Sequence, residues 1–256
     1  MSPMRRTLIA ANWKMHKTRT ESEAFARSVR ERVSEAPSCD LLIFPPFFSV
    51  PVVAETLAGT GVGVGAQDLY FEASGAFTGE VSAQMVADAG AGWVLVGHSE
   101  RRHVLGESNE IVAKKLGAAL AAGLSPILCV GERIEEREAD TATDVVREQL
   151  EIALAGLTAG DFERIVIAYE PVWAIGTGKT ATPEDAEEMH GFIRNWLSAA
   201  AGSDVAEQMR IQYGGSVKPD NAAGLLGRVE IDGALIGGAS LEADSFLAIA
   251  AAAPAL

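Results

Sequence analysis

Several apolar runs in this 256-residue chain end in side chains that can do chemistry. Glu170 follows Ile-Val-Ile-Ala-Tyr, which places its carboxylate where a buried strand opens to solvent, the setting of a general base. His98 stands in Val-Gly-His-Ser-Glu-Arg-Arg, and the amides of a helix starting there would keep a neutral imidazole that donates to a carbonyl oxygen. Asn12 and Lys14 are two residues apart in an extended stretch, so alternation predicts both side chains on one side, an amide and a cation suited to an anion, with Trp13 packing on the other. Three glycine turns, Gly176-Thr177-Gly178, Gly214-Gly215-Ser216 and Gly237-Gly238, offer backbone amides to a phosphate. The stretch 171–179 mixes Val172, Trp173 and Ile175 with two glycines directly after the candidate base, a composition suited to a lid. Each feature alone has an ordinary alternative: a solvated or arginine-paired acid, a structural histidine (the reading kept for His16, His103 and His190), a surface lysine, a common turn. Chemistry is indicated only if the fold gathers them.

The elements that must do so alternate along the chain. Short apolar or β-branched runs occur at 7–13, 41–45, 62–67, 93–98, 126–131, 165–170, 210–214 and 233–237, and most end in polar residues or glycine. Helical periodicity fills 21–35, 110–122, 143–157 and 184–201 between them, and 241–253 follows the last. Runs such as Ile165-Val166-Ile167-Ala168 are apolar throughout, as parallel strands covered on both faces are. Thr182-Pro183-Glu184-Asp185 supplies a capping hydroxyl, a proline for the first helical position and acids for the first turn, so a helix starts there and 171–181 reads as loop. Eight β-then-α units predict a parallel (β/α)8 barrel, with a doubly wound open sheet as the competing architecture. The length suits one such barrel and no Pro- or Ser-rich linker divides it, so a single domain, 1–256, is expected. In a barrel the strand ends carrying Asn12, His98, Glu170, Ser216 and Gly237 converge on one face.

Composition narrows the partners. Asp and Glu number 35 against 21 Lys and Arg, a formal charge of −14 that repels nucleic acid and anionic lipid. The same field disfavours an anionic small molecule, so a phosphate site here must rely on local cations and backbone donors. No apolar run approaches the roughly 20 residues of a membrane span, and the opening residues lack a secretory signal, which places the expected compartment in the cytoplasm. Cys39 and Cys129 lie singly in apolar runs, without metal-site spacing or histidine neighbours, and read as buried thiols.

Taken together, Ala-Asn-Trp-Lys-Met at 11–15, Gly-His-Ser-Glu-Arg-Arg at 97–102, the 168–179 stretch and Tyr-Gly-Gly-Ser-Val at 213–217 closely resemble the triosephosphate isomerase family. Ala-Phe-Thr-Gly-Glu at 76–80 and Asp-Gly-Ala-Leu-Ile-Gly-Gly-Ala at 232–239 extend the resemblance over the whole chain, with no catalytic position replaced. It implies a TIM barrel that interconverts dihydroxyacetone phosphate and D-glyceraldehyde 3-phosphate without metal or organic cofactor. This family is itself the standard illustration of a glutamate base beside a neutral histidine, and of a closing lid. By the resemblance Glu170 moves the proton, His98 polarises the carbonyl, and Asn12 with Lys14 stabilises negative charge. Amides of Gly176, Ser216, Gly237 and Gly238 hold the phosphate, Glu100 orients Lys14 or a neighbour, and the loop around Thr78 joins two copies into a homodimer. Two rivals remain at this point: a phosphate-binding aldolase using a Schiff-base lysine, and a catalytically silent binding protein on the same barrel.

Overall fold

The computed structural model describes residues 5–36, 38–174 and 181–255. Its strands are β1 (Thr7–Asn12), β2 (Cys39–Phe44), β3 (Gly63–Ala66), β4 (Trp93–Val96), β5 (Ser125–Val130), β6 (Val166–Tyr169), β7 (Ile211–Tyr213) and β8 (Gly233–Ile236). Every neighbouring pair is parallel and β8 returns to β1, so the sheet closes into a barrel, and the open-sheet alternative is excluded. After β1 comes α1 (Arg19–Arg32), after β2 α2 (Val50–Leu57) and after β3 α3 (Ala83–Asp88). Helices α4 (Ser99–His103) and α5 (Asn109–Ala121) follow β4, and α6 (Ile134–Glu138), α7 (Ala142–Ala153) and α8 (Ala159–Phe162) follow β5. Then come α9 (Pro183–Ala201) and α10 (Ser203–Gln208) after β6, α11 (Ala222–Leu226) after β7, and α12 (Ala243–Ala251) after β8.

Strand alternation explains the packing. In β1, Leu8 and Ala10 join Leu42, Phe44, Leu95, Ile127, Cys129, Val166, Ala168 and Leu235 to fill the barrel. Ile9 and Ala11, one residue out of phase, pack outward under the helices with Ile43, Val94, Leu128 and Ile167. Both faces of the strands are therefore buried, which is why their sequences run apolar without alternating in polarity. Both cysteines are free and buried.

The element boundaries differ from expectation in instructive ways. Strand two begins at Cys39, two residues early, because Thr7 and Leu8 pair with Cys39 and Asp40 even though Asp40 is polar. Helix α1 ends at Arg32 and a 3-10 turn covers Val33–Glu35. Helix α9 starts where its signal placed it: Thr182 Oγ1 accepts from the Asp185 amide at 3.1 Å, and Asp185 Oδ2 accepts from the Thr182 amide at 3.0 Å, a cap worth about 1 kcal/mol. Within the expected 171–181 loop, Val172–Ala174 forms a 3-10 turn.

Ion pairs lock the end of the barrel where the strands begin. Asp232 accepts from Arg5 and Arg194, each at 2.5 Å, and from the Ile211 amide at 2.8 Å, while its own carbonyl accepts from Leu8 N at 2.9 Å. One side chain thus fastens β1, β7, β8 and α9 at the end remote from the strand termini, leaving those termini free for chemistry.

Candidate active site

The inward parity of the strands carries past their last ladder residue. Leu8 and Ala10 lead to Asn12, and Val166 and Ala168 lead to Glu170, so both polar side chains enter the mouth of the barrel because their apolar predecessors fill it. Glu170 keeps strand geometry through its amide, which donates to Val130 O at 2.8 Å. It is buried, with 2% of its surface exposed. His98 would face outward by the same count, since Leu95 points in. Gly97 reverses it: φ of +73° breaks the strand in a conformation that glycine alone adopts without strain, and the turn brings His98 round to the mouth.

The imidazole is held in one tautomer. The Glu100 amide, at the start of α4, donates to His98 Nδ1 at 3.2 Å, which occupies that nitrogen's lone pair and leaves the proton on Nε2. Glu100 Oε2 also lies 3.7 Å from Nδ1, but with the lone pair already engaged this is proximity and not an ion pair. Nε2 faces Glu170 Oε1 at 3.1 Å. The carboxylate further accepts from Ser99, whose amide donates to Oε2 and whose Oγ donates to Oε1, each at 2.9 Å. A buried carboxylate is thereby fully solvated by protein donors and stays close to a neutral N–H.

Lys14 reaches the same cleft by a route that corrects the extended-alternation argument. Its φ is +54°, a left-handed conformation, so Asn12, Trp13 and Lys14 do not simply alternate. Asn12 Oδ1 accepts from the Lys14 amide at 3.1 Å and Gln67 Nε2 donates to Lys14 O at 2.9 Å, and these bonds hold the turn. Trp13 packs outward as expected, edge-on to Phe25 with centroids 4.9 Å apart. Lys14 Nζ donates to Glu100 Oε1 at 2.7 Å. A lysine tethered to a carboxylate at the mouth is a fixed cation, unlike the deep, uncharged amine a Schiff base requires.

A cleft of about 320 Å³ gathers Asn12, Lys14, His98 and Glu170 with Ser216, Gly237 and Gly238. Gly238–Ser240 forms a short 3-10 turn, whose first amides have no partner inside the turn. On the β7 side Asn221 braces the loop, donating through Nδ2 to Ser216 O at 3.0 Å and accepting from Lys218 N at 2.8 Å. Gly176 and Ile175 lie outside the described residues. Val172 and Trp173 are half-buried, so the apolar stretch after the base is partly covered in this arrangement.

Sequence reading gave no role to several residues that complete the site. Ser99 supplies two donors to Glu170, its amide and its hydroxyl. Arg102 donates to Gly97 O at 2.7 Å, Cys129 O at 3.1 Å and Asn109 Oδ1 at 2.6 Å, clamping the turn that aims His98. Glu132, fully buried, accepts from Tyr169 OH at 3.0 Å and Trp173 Nε1 at 2.8 Å, and burial pushes its carboxyl pKa up. Ser99 and Arg102 were visible as members of a motif, but only the fold shows what each holds; nothing local to Glu132 marks it.

Comparison with known proteins identifies the family. The family model described as triosephosphate isomerase matches residues 7–253. The chain is similar to proteins named triosephosphate isomerase from Roseiflexus sp. (strain RS-1), 52% identical over 96% of this chain and 97% of the relative, and from Rhodopirellula baltica, 51% identical over 98% of each. A third relative of that name, from Carboxydothermus hydrogenoformans, is 50% identical over 96% of this chain and 98% of its own length. With a match running from the first strand to the last helix, the chain belongs to the triosephosphate isomerase family of isomerases.

Proposed function

We propose that this isomerase interconverts dihydroxyacetone phosphate and D-glyceraldehyde 3-phosphate by proton transfer through an enediolate, a step of glycolysis and gluconeogenesis, with Glu170 as the base. The observation that carries the reading is the pairing of Glu170 Oε1 with a neutral His98 Nε2–H, 3.1 Å apart, in a cleft that Ser216, Gly237 and Gly238 also line. Glu170 takes a proton from the carbon next to the carbonyl and returns it to the neighbouring carbon. The His98 N–H donates to the oxygen on which charge develops, and being neutral it can also pass a proton between the two oxygens. Lys14 and Asn12 stabilise the negative charge, and the amides of Gly176, Ser216, Gly237 and Gly238 hold the phosphate. Local donors thus offset the repulsion of a net −14 chain. Proton transfer of this kind needs no metal and no organic cofactor. The single domain 1–256 and a cytoplasmic setting belong to the same reading; among the described residues no helix is long and apolar enough to cross a membrane.

The same reading includes a homodimer. Strands β1, β2 and β3 are neighbours, so the loops after them lie side by side, and they expose Met15 (94%), Phe48 (61%) and Phe77 (39%). The loop carrying Thr78 is exposed throughout 72–80 yet closed at its neck, where Tyr70 N donates to Val81 O at 2.8 Å. An apolar edge beside a projecting, anchored loop fits a second copy of the chain.

The test is glyceraldehyde 3-phosphate conversion, coupled to NADH oxidation by added glycerol 3-phosphate dehydrogenase, for the wild type and Glu170→Gln. The expected loss of kcat is about 10²- to 10⁴-fold, the contribution of a positioned base. A folded wild type without turnover sinks the isomerase reading in favour of a silent binding protein.

A further inference from the structure

Outside the reacting groups, one side chain touches both described ends of the stretch that leaves Glu170 and returns to α9. Arg137, in α6, lies with its guanidinium carbon 4.7 Å from the centroid of the Trp173 ring. Its Nη1 stands 3.6 Å from Glu132 Oε1, and its Nη2 donates to Asp185 Oδ1 at 2.7 Å. Trp173 and Glu132 belong to the outgoing end: Glu132 Oε1 accepts from Trp173 Nε1 and from the hydroxyl of Tyr169, the residue before the base, and Glu132 O accepts from Val172 N at 3.1 Å. Asp185 belongs to the returning end, where its other oxygen accepts from Thr182 N and Oγ1.

These contacts need a planar cation with a fork of donors. A guanidinium can stack on an indole while presenting separate N–H groups to two carboxylates, and an ammonium cannot do both. The pair with Asp185 is one-third exposed on each side, so by itself it contributes little to stability. Its consequence is geometric. Glu132 is fully buried and its Oε2 has no hydrogen-bond partner among the described residues, so the nearby guanidinium is the charge that balances a carboxylate bonded to the side chains of Tyr169, the last residue of β6, and Trp173.

We propose that Arg137 is a positioning residue for the isomerisation, fixing where the chain leaves Glu170 by holding Trp173 and Glu132, and where it rejoins α9 by holding Asp185. The proposal rests on the reading of Glu170 as the base. It acts through neighbours and touches no substrate, so its loss disturbs turnover more than folding.

The experiment compares Arg137→Ala and Arg137→Lys with wild type and Glu170→Gln by steady-state kinetics, thermal unfolding, and fluorine NMR of protein labelled with 5-fluorotryptophan, the Trp173 signal being assigned with Trp173→Phe. Arg137→Ala is expected to lower kcat/KM by about tenfold or more, as a misplaced reacting group does, and to shift the Trp173 resonance while those of Trp13, Trp93 and Trp196 stay in place. Arg137→Lys, which keeps the charge but not the stack, recovers only part of the loss and leaves the Trp173 signal displaced. If Arg137→Ala does not fold, Asp185→Asn reads the same contact, because its amide oxygen can still cap Thr182. Kinetics and the Trp173 signal both unchanged in Arg137→Ala overturn the proposal. Complete rescue of both by lysine does so too, since a bare charge then suffices. Turnover surviving in Glu170→Gln strikes the base assignment itself, whereas an inactive Glu170→Gln beside an unaltered Arg137→Ala strikes this proposal alone.

Discussion

The base is placed by what is missing next to it. A methyl group at Gly214 would stand 2.8 Å from Glu170 Cγ, closer than side chains pack, and a tight 3.1 Å from Tyr169 O, while the Gly214 amide donates to Tyr169 O at 2.7 Å. Gly214→Ala must therefore push the carboxylate or part β6 from β7. We predict that kcat/KM falls by about 10²-fold, the cost of roughly an ångström of misplacement, with circular dichroism unchanged. Activity within twofold of wild type would show that Glu170 has room to spare. At this scale most of the proposed chemistry was legible: Asn12, Lys14, His98 and Glu170 all stand where an apolar strand gives way to polar residues. What was not legible was orientation. The left-handed turn at Lys14 depends on a hydrogen bond from Gln67, 53 residues away, and the reversal at Gly97 on Arg102, which bonds Gly97 O from within the motif and Cys129 O from 27 residues away.

At the scale of an element, α9 buries a histidine against two strands. His190 lies between the rings of Tyr169 and Tyr213, with centroids 5.9 Å and 6.4 Å away, and its Nδ1 donates to Glu230 O at 3.1 Å. Burial pushes its pKa down to about 3 from an ordinary 6.5. The unfolded chain therefore binds the proton first. Stability contributed by keeping this ring neutral is complete above about pH 6.5 and is lost progressively as the pH falls from there toward about 3. Asp68 has the opposite sign, because burial raises its pKa to about 6 and its preferred neutral form adds stability as acid is added. The difference between wild type and His190→Gln isolates the histidine. Urea unfolding should give the wild type about 2 kcal/mol more loss than the variant between about pH 7.5 and about pH 5. Equal losses would mean that the ring is protonated inside the folded protein.

Over the whole molecule, chemistry and stability occupy opposite ends of the barrel. The Asp232 network closes the end where strands begin, and the cleft opens where they finish. That separation lets the site loops vary in length and conformation without loosening the sheet. The apolar edge formed by the loops after β1, β2 and β3 adjoins Lys14, so a second copy seated there would brace a residue of the site. Equilibrium sedimentation at micromolar concentration should give twice 26.9 kDa, and Thr78→Arg should shift the mass toward monomer and lower turnover. A wild-type monomer with full activity sinks the dimer.

From the sequence alone followed the alternation of elements, the parallel direction of the strands, the start of α9 at Thr182 and the residues at the strand ends. These rest on local propensities and on periodicity, which neighbours in the chain impose on one another. Closure of the sheet was decided by the pairing of β1 with β8, a contact between the two ends of the chain that no local pattern encodes. The same is true of the site's finer chemistry. Ser99 solvates Glu170 from 71 residues away, Glu100 holds Lys14 across 86, and the tautomer of His98 depends on how α4 begins. Residue types state what a group can do. Which partner desolvates it, donates to it or balances its charge is settled only when the barrel closes and brings distant strand ends within a few ångströms.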